Sequence, residues 1–150
     1  MIKTSKGVVV TDRRTIYVTM DPSIDTEKSN LAEYKKNYDS AALVFKEGED
    51  STEFIIRPCS QTEYRKSFLT VLGEGDASDY MDIEVGCSLL KFGLVGAKNL
   101  HVIGDTFSWP KGCPKSELDR IPAFCQLELA QAIILYSAST QTDELTNEKK

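Results

Sequence analysis

The chain has 150 residues, with 18 Lys or Arg against 23 Asp or Glu and a formal net charge of −5. This length is typical of one domain, which can bury about 68–70% of the surface exposed on unfolding. The negative charge argues against nucleic-acid binding, which requires a positive surface. No apolar run approaches the roughly 18 residues of a membrane helix, and the N-terminal run Val8–Val10 is too short for a secretory signal. We therefore expect a cytoplasmic protein without nucleic-acid or membrane partners.

The cysteines form no recognisable metal or redox motif. No C-x-x-C pair occurs, which argues against zinc-ribbon and thioredoxin-like patterns. We interpret the cysteines as small, mostly buried thiols of a protein in a reducing compartment. A metal site built from scattered ligands and disulfides between distant parts of the chain are the alternatives. The four residues are Cys59, Cys87, Cys113 and Cys125.

Two strands are predicted first along the chain. One is Lys6–Val10. The other, Thr15–Met20, alternates larger apolar residues with Thr and Tyr, which is the period of a half-buried strand, and Pro22 prevents its continuation. The polar stretch Asp25–Asp39 fits either a surface helix at Ser29–Lys36 or a long mobile loop.

A β-hairpin is predicted next. Its strands, Ala41–Lys46 and Thr52–Arg57, are rich in β-forming residues and flank the link EGEDS, which contains a glycine. An edge of this hairpin is where we expect two copies of the chain to pair if the protein is a homo-oligomer. Pro58 ends the second strand, and Ser60 with Glu63 forms the capping box that starts a helix.

Three main helices follow from apolar residues at helical spacing. They are Gln61–Leu72, Ala77–Phe92 and Pro122–Ser139. The second is apolar over much of its circumference, so we place it centrally in the core. Gly93 and Gly96 are predicted to end it as C-terminal caps.

The remaining segments complete an α+β fold. Leu100–Ile103 and Thr106–Trp109 flank a Gly-Asp pair, which predicts a hairpin with a two-residue turn, and a short turn follows at Ser116–Arg120. Residues 1–139 are predicted to form one domain, and residues 140–150 a polar tail that frays. Strands followed by helices indicate a small antiparallel sheet of hairpins packed against about three helices.

The segment Arg57-Pro58-Cys59 is the first candidate for chemistry. A nucleophilic cysteine needs a lowered pKa, which a helix N-terminus or a nearby cation provides. Cys59 precedes a predicted helix and lies two residues from Arg57. The single histidine, His101, is 42 positions away, and nothing in the sequence brings it close. We favour the interpretation that this segment is the structural joint between strand and helix.

An acidic cluster is the second candidate. Carboxylates at close spacing perform acid–base catalysis or bind metal ions, but the spacing lacks the glycine of an EF-hand loop. We favour the interpretation that these carboxylates complement the dipole of the predicted helix. Glycine-rich phosphate-binding motifs are absent from the sequence, so no cofactor is expected. The cluster consists of Asp76, Asp79, Asp82 and Glu84.

An aromatic pair is the candidate binding surface. Trp109 is the only tryptophan, and with Phe107 it lies on the second predicted hairpin. Large aromatic residues are the usual anchors of protein interfaces, although for Trp109 we favour the alternative that it covers the core. Catalytic motifs such as G-x-S-x-G are absent from the sequence. We therefore expect a protein that is not an enzyme, with Trp109 and Phe107 as its partner-binding residues.

Three stretches resemble a known family. LVFKEGEDSTEFIIRPCSQTEY, GLVGAKNL with GDTFSWP, and LDRIPAFCQLELAQAIILYSASTQTDELTNEKK together span about residues 41–147. Their layout is similar to that of small accessory proteins encoded among the head and tail genes of tailed bacteriophages. Cys59 stands where that family usually has an aliphatic residue, and the predicted N-terminal strands are additional. The family has no catalytic residues to transfer.

The resemblance implies a bacteriophage morphogenesis protein that acts by binding other phage structural or assembly proteins. It would be a tail assembly chaperone or a minor head or tail component, present in the host cytoplasm during assembly and, as a component, in the virion. Two alternatives stay open. One is a small cytosolic enzyme or ligand-binding domain that uses Cys59 or the Asp76–Glu84 cluster. The other is a phage-encoded protein that binds a host protein.

Overall fold

A computed structural model describes the backbone of residues 12–73 and 81–148, with side chains for residues 12–67 and 86–138. Four strands and five α-helices lie within these ranges. The strands are β1 (Arg14–Ile16), β2 (Glu53–Ile56), β3 (Leu94–Lys98) and β4 (Thr106–Ser108). The helices are α1 (Leu31–Asn37), α2 (Gln61–Gly73), α3 (Met81–Gly93), α4 (Lys115–Leu118) and α5 (Ala123–Glu148).

The four strands form one antiparallel sheet in the order β1-β2-β3-β4. Directly opposed residues share a face of an antiparallel sheet. Ile16, Phe54, Ala97 and Phe107 are opposed in this way across the four strands. The first three are fully or almost fully buried and belong to the core. A single antiparallel sheet with its accompanying helices is an α+β fold, as the sequence predicts.

The helices α2, α3 and α5 form a connected layer, since α3 packs against both α2 and α5. Leu89 and Leu90 of α3 are fully buried, as expected for a central helix. At Gly86 of α3 an added Cβ atom would lie 2.9 Å from the Cβ atom of Ala130. Small residues therefore allow α3 and α5 to approach closely. No helix of the described residues is long and apolar enough to cross a membrane.

The predicted hairpin of Ala41–Lys46 with Thr52–Arg57 is wrong. The first run begins instead in a 3-10 turn, Ser40–Ala42, which the Asp39 carboxylate caps by accepting the Ala41 N–H at 3.0 Å. Beyond this turn it makes only an isolated bridge, between Ile24 and Phe45. The second run contributes β2, which pairs with β1 on one side and β3 on the other. The hairpin edge proposed for pairing between copies therefore does not exist.

Gly93 and Gly96 were both predicted to end the helix α3, and the strand β3 that follows it was not predicted. Gly93 ends the helix, but Gly96 lies inside β3, the strand that sits between β2 and β4. A Cβ atom at Gly96 would lie 3.0 Å from the Phe107 carbonyl oxygen, so this glycine permits close pairing. The hairpin of β3 and β4 has a longer connection, residues 99–105, than the two-residue turn predicted from Leu100–Ile103 and Thr106–Trp109.

The first predicted strands have different outcomes. Lys6–Val10 lies outside the described residues. Thr15–Met20 is a strand only as far as Ile16. After that residue, the backbone groups of Tyr17 form hydrogen bonds with a side chain instead of with a neighbouring strand. The Tyr34 hydroxyl accepts the Tyr17 N–H at 2.8 Å and donates to the Tyr17 carbonyl at 2.6 Å.

The helix predictions differ from the structure mainly at their ends. The stretch Asp25–Asp39 contains the helix α1, whose Tyr34 is fully buried. Helix α2 begins at Gln61 as predicted. Helix α5 continues to Glu148, past the predicted end at Ser139.

Candidate functional site

The Arg57-Pro58-Cys59 segment is a buried joint between β2 and α2. The Arg57 guanidinium bonds both oxygens of Glu63, with the Nη1 to Oε1 contact at 2.9 Å. Ser60 and Glu63 exchange the two hydrogen bonds of a capping box, at 2.9 and 3.2 Å. The predicted capping box is thus confirmed. The Cys59 N–H continues the joint to α5 by donating to the Ser137 hydroxyl at 2.9 Å.

Cys59 has the opposite environment from a reactive thiol. It is fully buried, and burial, followed by the Glu63 carboxylate, raises the pKa of its thiol to about 12. The charge of Arg57 acts in the other direction, but that charge is paired with Glu63. Cys59 is therefore a protonated thiol that fills the corner between strand and helices, as in our favoured interpretation of this segment.

The other cysteines belong to no metal-binding group within the part of the chain that the structure describes. Cys113 and Cys125 are buried, and Cys87 is half-buried. Among the described residues, no group of three or more His, Cys, Asp or Glu is arranged to hold a metal ion. Asp76 and Asp79 lie outside the described residues, as do the side chains of Asp82 and Glu84.

Phe107 and Trp109 form an aromatic row at the end of the sheet. Their rings stack with centroids 5.5 Å apart, and His101 meets Phe107 edge-on at 5.7 Å. Glu117 of α4 contacts His101 at 3.2 Å. Both aromatic rings are half-buried against the core. Trp109 thus covers the core while keeping part of its ring accessible; its role in partner binding stays a prediction.

The connection between β3 and β4 presents two exposed apolar side chains. Val102 and Ile103 are 68% and 73% exposed, although the sequence placed both in a strand. The Asp105 carboxylate accepts the N–H groups of Leu100, His101 and Val102 at 2.9–3.2 Å. Loss of solvation raises the pKa of Asp105, but these hydrogen bonds outweigh it and hold the pKa below its ordinary value. The loop is therefore held in one shape with its apolar tip in solvent.

A pocket of about 280 Å³ lies beside the base of this loop. Phe54 of β2, Leu100 of the loop and Cys125 of α5 are among the residues that line it. Met20, 51% exposed, lies at the mouth with its sulfur 3.5 Å from Cys125 Sγ. The lining residues are predominantly apolar: Val18, Met20, Asp21, Pro22, Thr52, Phe54, Leu100, Pro122 and Cys125.

Side-chain hydrogen bonds fix the segment 18–22 on one wall of the pocket. The Glu128 carboxylate accepts the Thr19 N–H at 2.6 Å and the Thr19 hydroxyl at 2.8 Å. The Asp21 carboxylate accepts both the N–H and the hydroxyl of Ser23, at 3.0 and 2.8 Å. Because these residues flank Met20 on both sides, its position over the pocket is fixed by α5 and by the turn after it.

The other wall is tied to this segment through Thr52. Its N–H donates to Asp21 at 2.9 Å, and its hydroxyl donates to the Asn99 carbonyl at 2.7 Å. The Asn99 side-chain amide donates in turn to the Ser51 carbonyl at 3.2 Å. The pocket and the loop from residue 99 onward are thus parts of one hydrogen-bonded framework. A preformed site of this kind requires little ordering when it binds.

Exposed apolar side chains lie within the segments that line the pocket or a few residues from its lining residues. Met20 is in its lining, and Phe124, 72% exposed, lies between the lining residues Pro122 and Cys125. Val102 and Ile103 come two and three residues after Leu100 in the loop. Large apolar side chains grouped in this way on a surface are typical of protein-binding sites. We call this surface of Met20, Val102, Ile103 and Phe124 the apolar rim.

The sequence analysis did not identify the apolar rim. Val102 and Ile103 have the β-branched side chains of a strand, which concealed them. The sequence nevertheless contains an indication of a loop, since Asn99 and Gly104 are residue types that favour left-handed backbone. Their observed φ values are 58° and 91°. Residues of this kind on both sides of a short apolar run indicate a loop. Met20 had no signal, because only the fold brings it near α5.

A second groove, of about 360 Å³, lies between α2 and α5 and mixes polar with apolar lining residues. It is more open to solvent than the pocket at Met20. Its lining residues are Gln61, Tyr64, Arg65, Ile134 and Ala138.

No protein-family model matches this chain, and no curated protein or solved structure is significantly similar to it.

Proposed function

We propose that this chain works by binding another protein through the apolar rim, and that its task is bacteriophage morphogenesis. The observation that carries the binding role is a set of four exposed apolar side chains, of which Met20 lines the pocket and the other three lie in segments that contribute lining residues to it. Exposing such residues is unfavourable in water, so a chain that holds them in fixed positions gains most when a partner covers them.

The phage context rests on the three stretches that resemble accessory proteins of head and tail gene modules. One of those stretches contributes a residue to the rim, and a second begins directly after the loop tip. GDTFSWP follows the tip of the 99–105 loop, and LDRIPAFC contains Phe124. The partner in this proposal is a phage structural or assembly protein, and the chain acts either as a tail assembly chaperone or as a minor head or tail component.

Mass spectrometry of purified particles and of assembly intermediates tests the proposal in the virus that encodes the chain. A chaperone is expected in intermediates and absent from particles, whereas a component is present in both. Absence from both fractions would refute the morphogenesis role. Capture of a stoichiometric host protein instead would favour the alternative of a host-directed binder.

A paired substitution tests the surface. The double variant Val102→Ser, Ile103→Ser removes the apolar loop tip, so we expect the chain to disappear from assembly intermediates. The control is Val44→Ser, since Val44 is 41% exposed outside the rim. If the control and the double variant are recovered equally, the loop tip is not the binding surface.

A further inference from the structure

The pocket beneath Met20 has the size of a side-chain anchor site. Its volume of about 280 Å³ is just below the roughly 300–1,000 Å³ typical of sites that enclose whole small molecules. Phe54 and Leu100 give it apolar walls. A buried pocket surrounded by a rim that excludes water is the usual arrangement around a single dominant anchor residue in a protein interface.

Asp21 is the charged residue of the pocket lining, and the sequence segments that include or adjoin the lining residues carry an excess of negative charge. Across residues 18–22, 49–54, 98–100 and 120–128, acidic residues outnumber basic ones by five to two. Both basic residues have acidic neighbours. Lys98 is directly opposite Glu53 in the sheet, and Arg120 contacts Glu117 at 3.2 Å. Within the part of the chain that the structure describes, Asp21, Glu49, Asp50 and Glu128 take part in no ion pair.

Two of these carboxylates, Glu128 and Asp21, act on the Cys125 thiol, which lines the pocket. Burial raises the pKa of the Cys125 thiol, and the charges of Glu128 and Asp21 raise it further. Tyr17, just before the segment 18–22, has its pKa raised by burial and then by Glu53, with a smaller contribution from Asp21. A negative potential of this kind disfavours an acidic partner and attracts a basic one.

We propose that the pocket receives one large apolar side chain of a partner protein, and that Lys or Arg residues flank this side chain in the partner. The inference rests on the proposed function, because it assumes that the occupant belongs to a protein. It adds the site of the anchor and the chemistry of the partner segment. The anchor enters between Met20 and Phe124, while the flanking cations face the exposed carboxylates of Glu49 and Asp50.

Selection from a displayed library of random peptides, about twelve residues long, tests the chemistry without knowledge of the partner. The wild-type chain is the bait, and peptides that also bind the Phe124→Ser variant are discarded. We expect the enriched peptides to share an aromatic or large aliphatic residue flanked by Lys or Arg. Enrichment of acidic peptides, or no enrichment at all, would refute the proposal.

Calorimetry with the best enriched peptide locates its site. Met20→Ser is expected to raise the Kd at least about tenfold, whereas Val44→Ser leaves it unchanged. The charge-reversed variant Glu49→Lys, Asp50→Lys should weaken binding several-fold, as should raising the salt from about 50 to about 200 mM. Equal affinity of Met20→Ser and wild type would place the peptide elsewhere and contradict the proposal.

Two control measurements test whether the variants fold and whether the pocket binds a small molecule. Thermal unfolding verifies that each variant is folded. If Met20→Ser does not fold, the Kd of the peptide for Phe124→Ser tests the proposal instead. That variant should fold, because the Phe124 ring is 72% exposed in the wild type. Indole serves as a probe for small ligands. If indole occupies the pocket while no peptide is enriched, the site binds small molecules and the proposal is wrong.

Different results would contradict the anchor pocket and the morphogenesis role. Assembly intermediates that retain Met20→Ser but lose the Val102→Ser, Ile103→Ser variant would contradict the anchor pocket and support the rim. Absence of the wild-type chain from particles and intermediates would instead contradict the morphogenesis role. Basic peptides with an apolar anchor would in that case still support the pocket.

Discussion

At the scale of single residues, the Arg57–Glu63 pair joins a strand to a helix. Both side chains are largely buried, at 10% and 17% exposed. Burial raises the pKa of Glu63, but the hydrogen bonds from Arg57 and the Ser60 N–H outweigh it, so the folded pKa is below the ordinary value. A carboxylate of this kind stabilises the fold above its unfolded pKa, and the stabilisation is lost as the pH falls through the folded pKa.

Glu63→Gln should therefore lower the free energy of unfolding by about 2 kcal/mol at neutral pH, because it leaves the Arg57 charge without its counter-ion. The difference from wild type should narrow as the pH falls below the ordinary carboxyl pKa of 4.5. Urea unfolding over a range of pH measures both effects. The control is Glu33→Gln, in the exposed pair with Lys36, with an expected change within about 0.5 kcal/mol. A pH-independent difference at Glu63 would contradict the role of its charge.

Cys59 gives a second prediction at this scale. A pKa of about 12 instead of 9.0 reduces the thiolate fraction at neutral pH by about a thousandfold, since each pKa unit is a factor of ten. An alkylating probe should therefore modify Cys59 at least about a thousandfold more slowly in the folded chain than in urea. Peptide mass spectrometry assigns the modified residue. Rapid labelling of Cys59 in the folded chain would support the alternative of a reactive site.

At the scale of secondary-structure elements, Gly112 allows the connection after β4 to pass close to α3. Its φ is 102°, and a Cβ atom there would lie 1.6 Å from the Lys91 carbonyl oxygen. Gly104 has a similar φ of 91° but nothing within 4 Å of its added Cβ atom. The two glycines therefore separate the effect of backbone conformation from that of a steric clash.

Gly112→Ala should lower the free energy of unfolding by at least about 3 kcal/mol, because the backbone of α3 would have to move. Gly104→Ala, the matched control, should cost about 1 kcal/mol from its left-handed backbone alone. Chemical denaturation of both variants gives the comparison. Equal effects would mean that the connection can move away from α3 without a large loss of packing.

At the scale of the whole molecule, Glu128 of α5 connects the C-terminal helix to the segment that follows β1. It accepts two hydrogen bonds from Thr19, a residue 109 positions earlier in the sequence. Glu128→Ala leaves the Thr19 N–H and hydroxyl without partners, so we expect a loss of about 2 kcal/mol in the free energy of unfolding. Gln131→Ala, at an exposed position of the same helix, should change it by less than about 0.5 kcal/mol. Equal values for the two variants, measured by urea denaturation, would show that this contact does not stabilise the fold.

The sequence by itself determined the features that depend on neighbouring residues. The α+β class, the start of α2 at Gln61 and its capping box follow from periodicity and local hydrogen bonding, which act over three or four positions. The same local logic correctly favoured a structural role for Cys59. It failed at β3, where Gly96, predicted to cap the helix together with Gly93, instead permits close pairing inside the sheet.

Only the tertiary structure decided which strands pair and where the candidate site lies. Ala41–Lys46 has the composition of a strand, but β2 pairs with β1 and β3 instead. The apolar rim likewise joins Met20, the 99–105 loop and the start of α5, which are distant along the chain. Contacts between distant segments depend on the loops being closed and the core being packed, and these energies have no signature in any short stretch of residues.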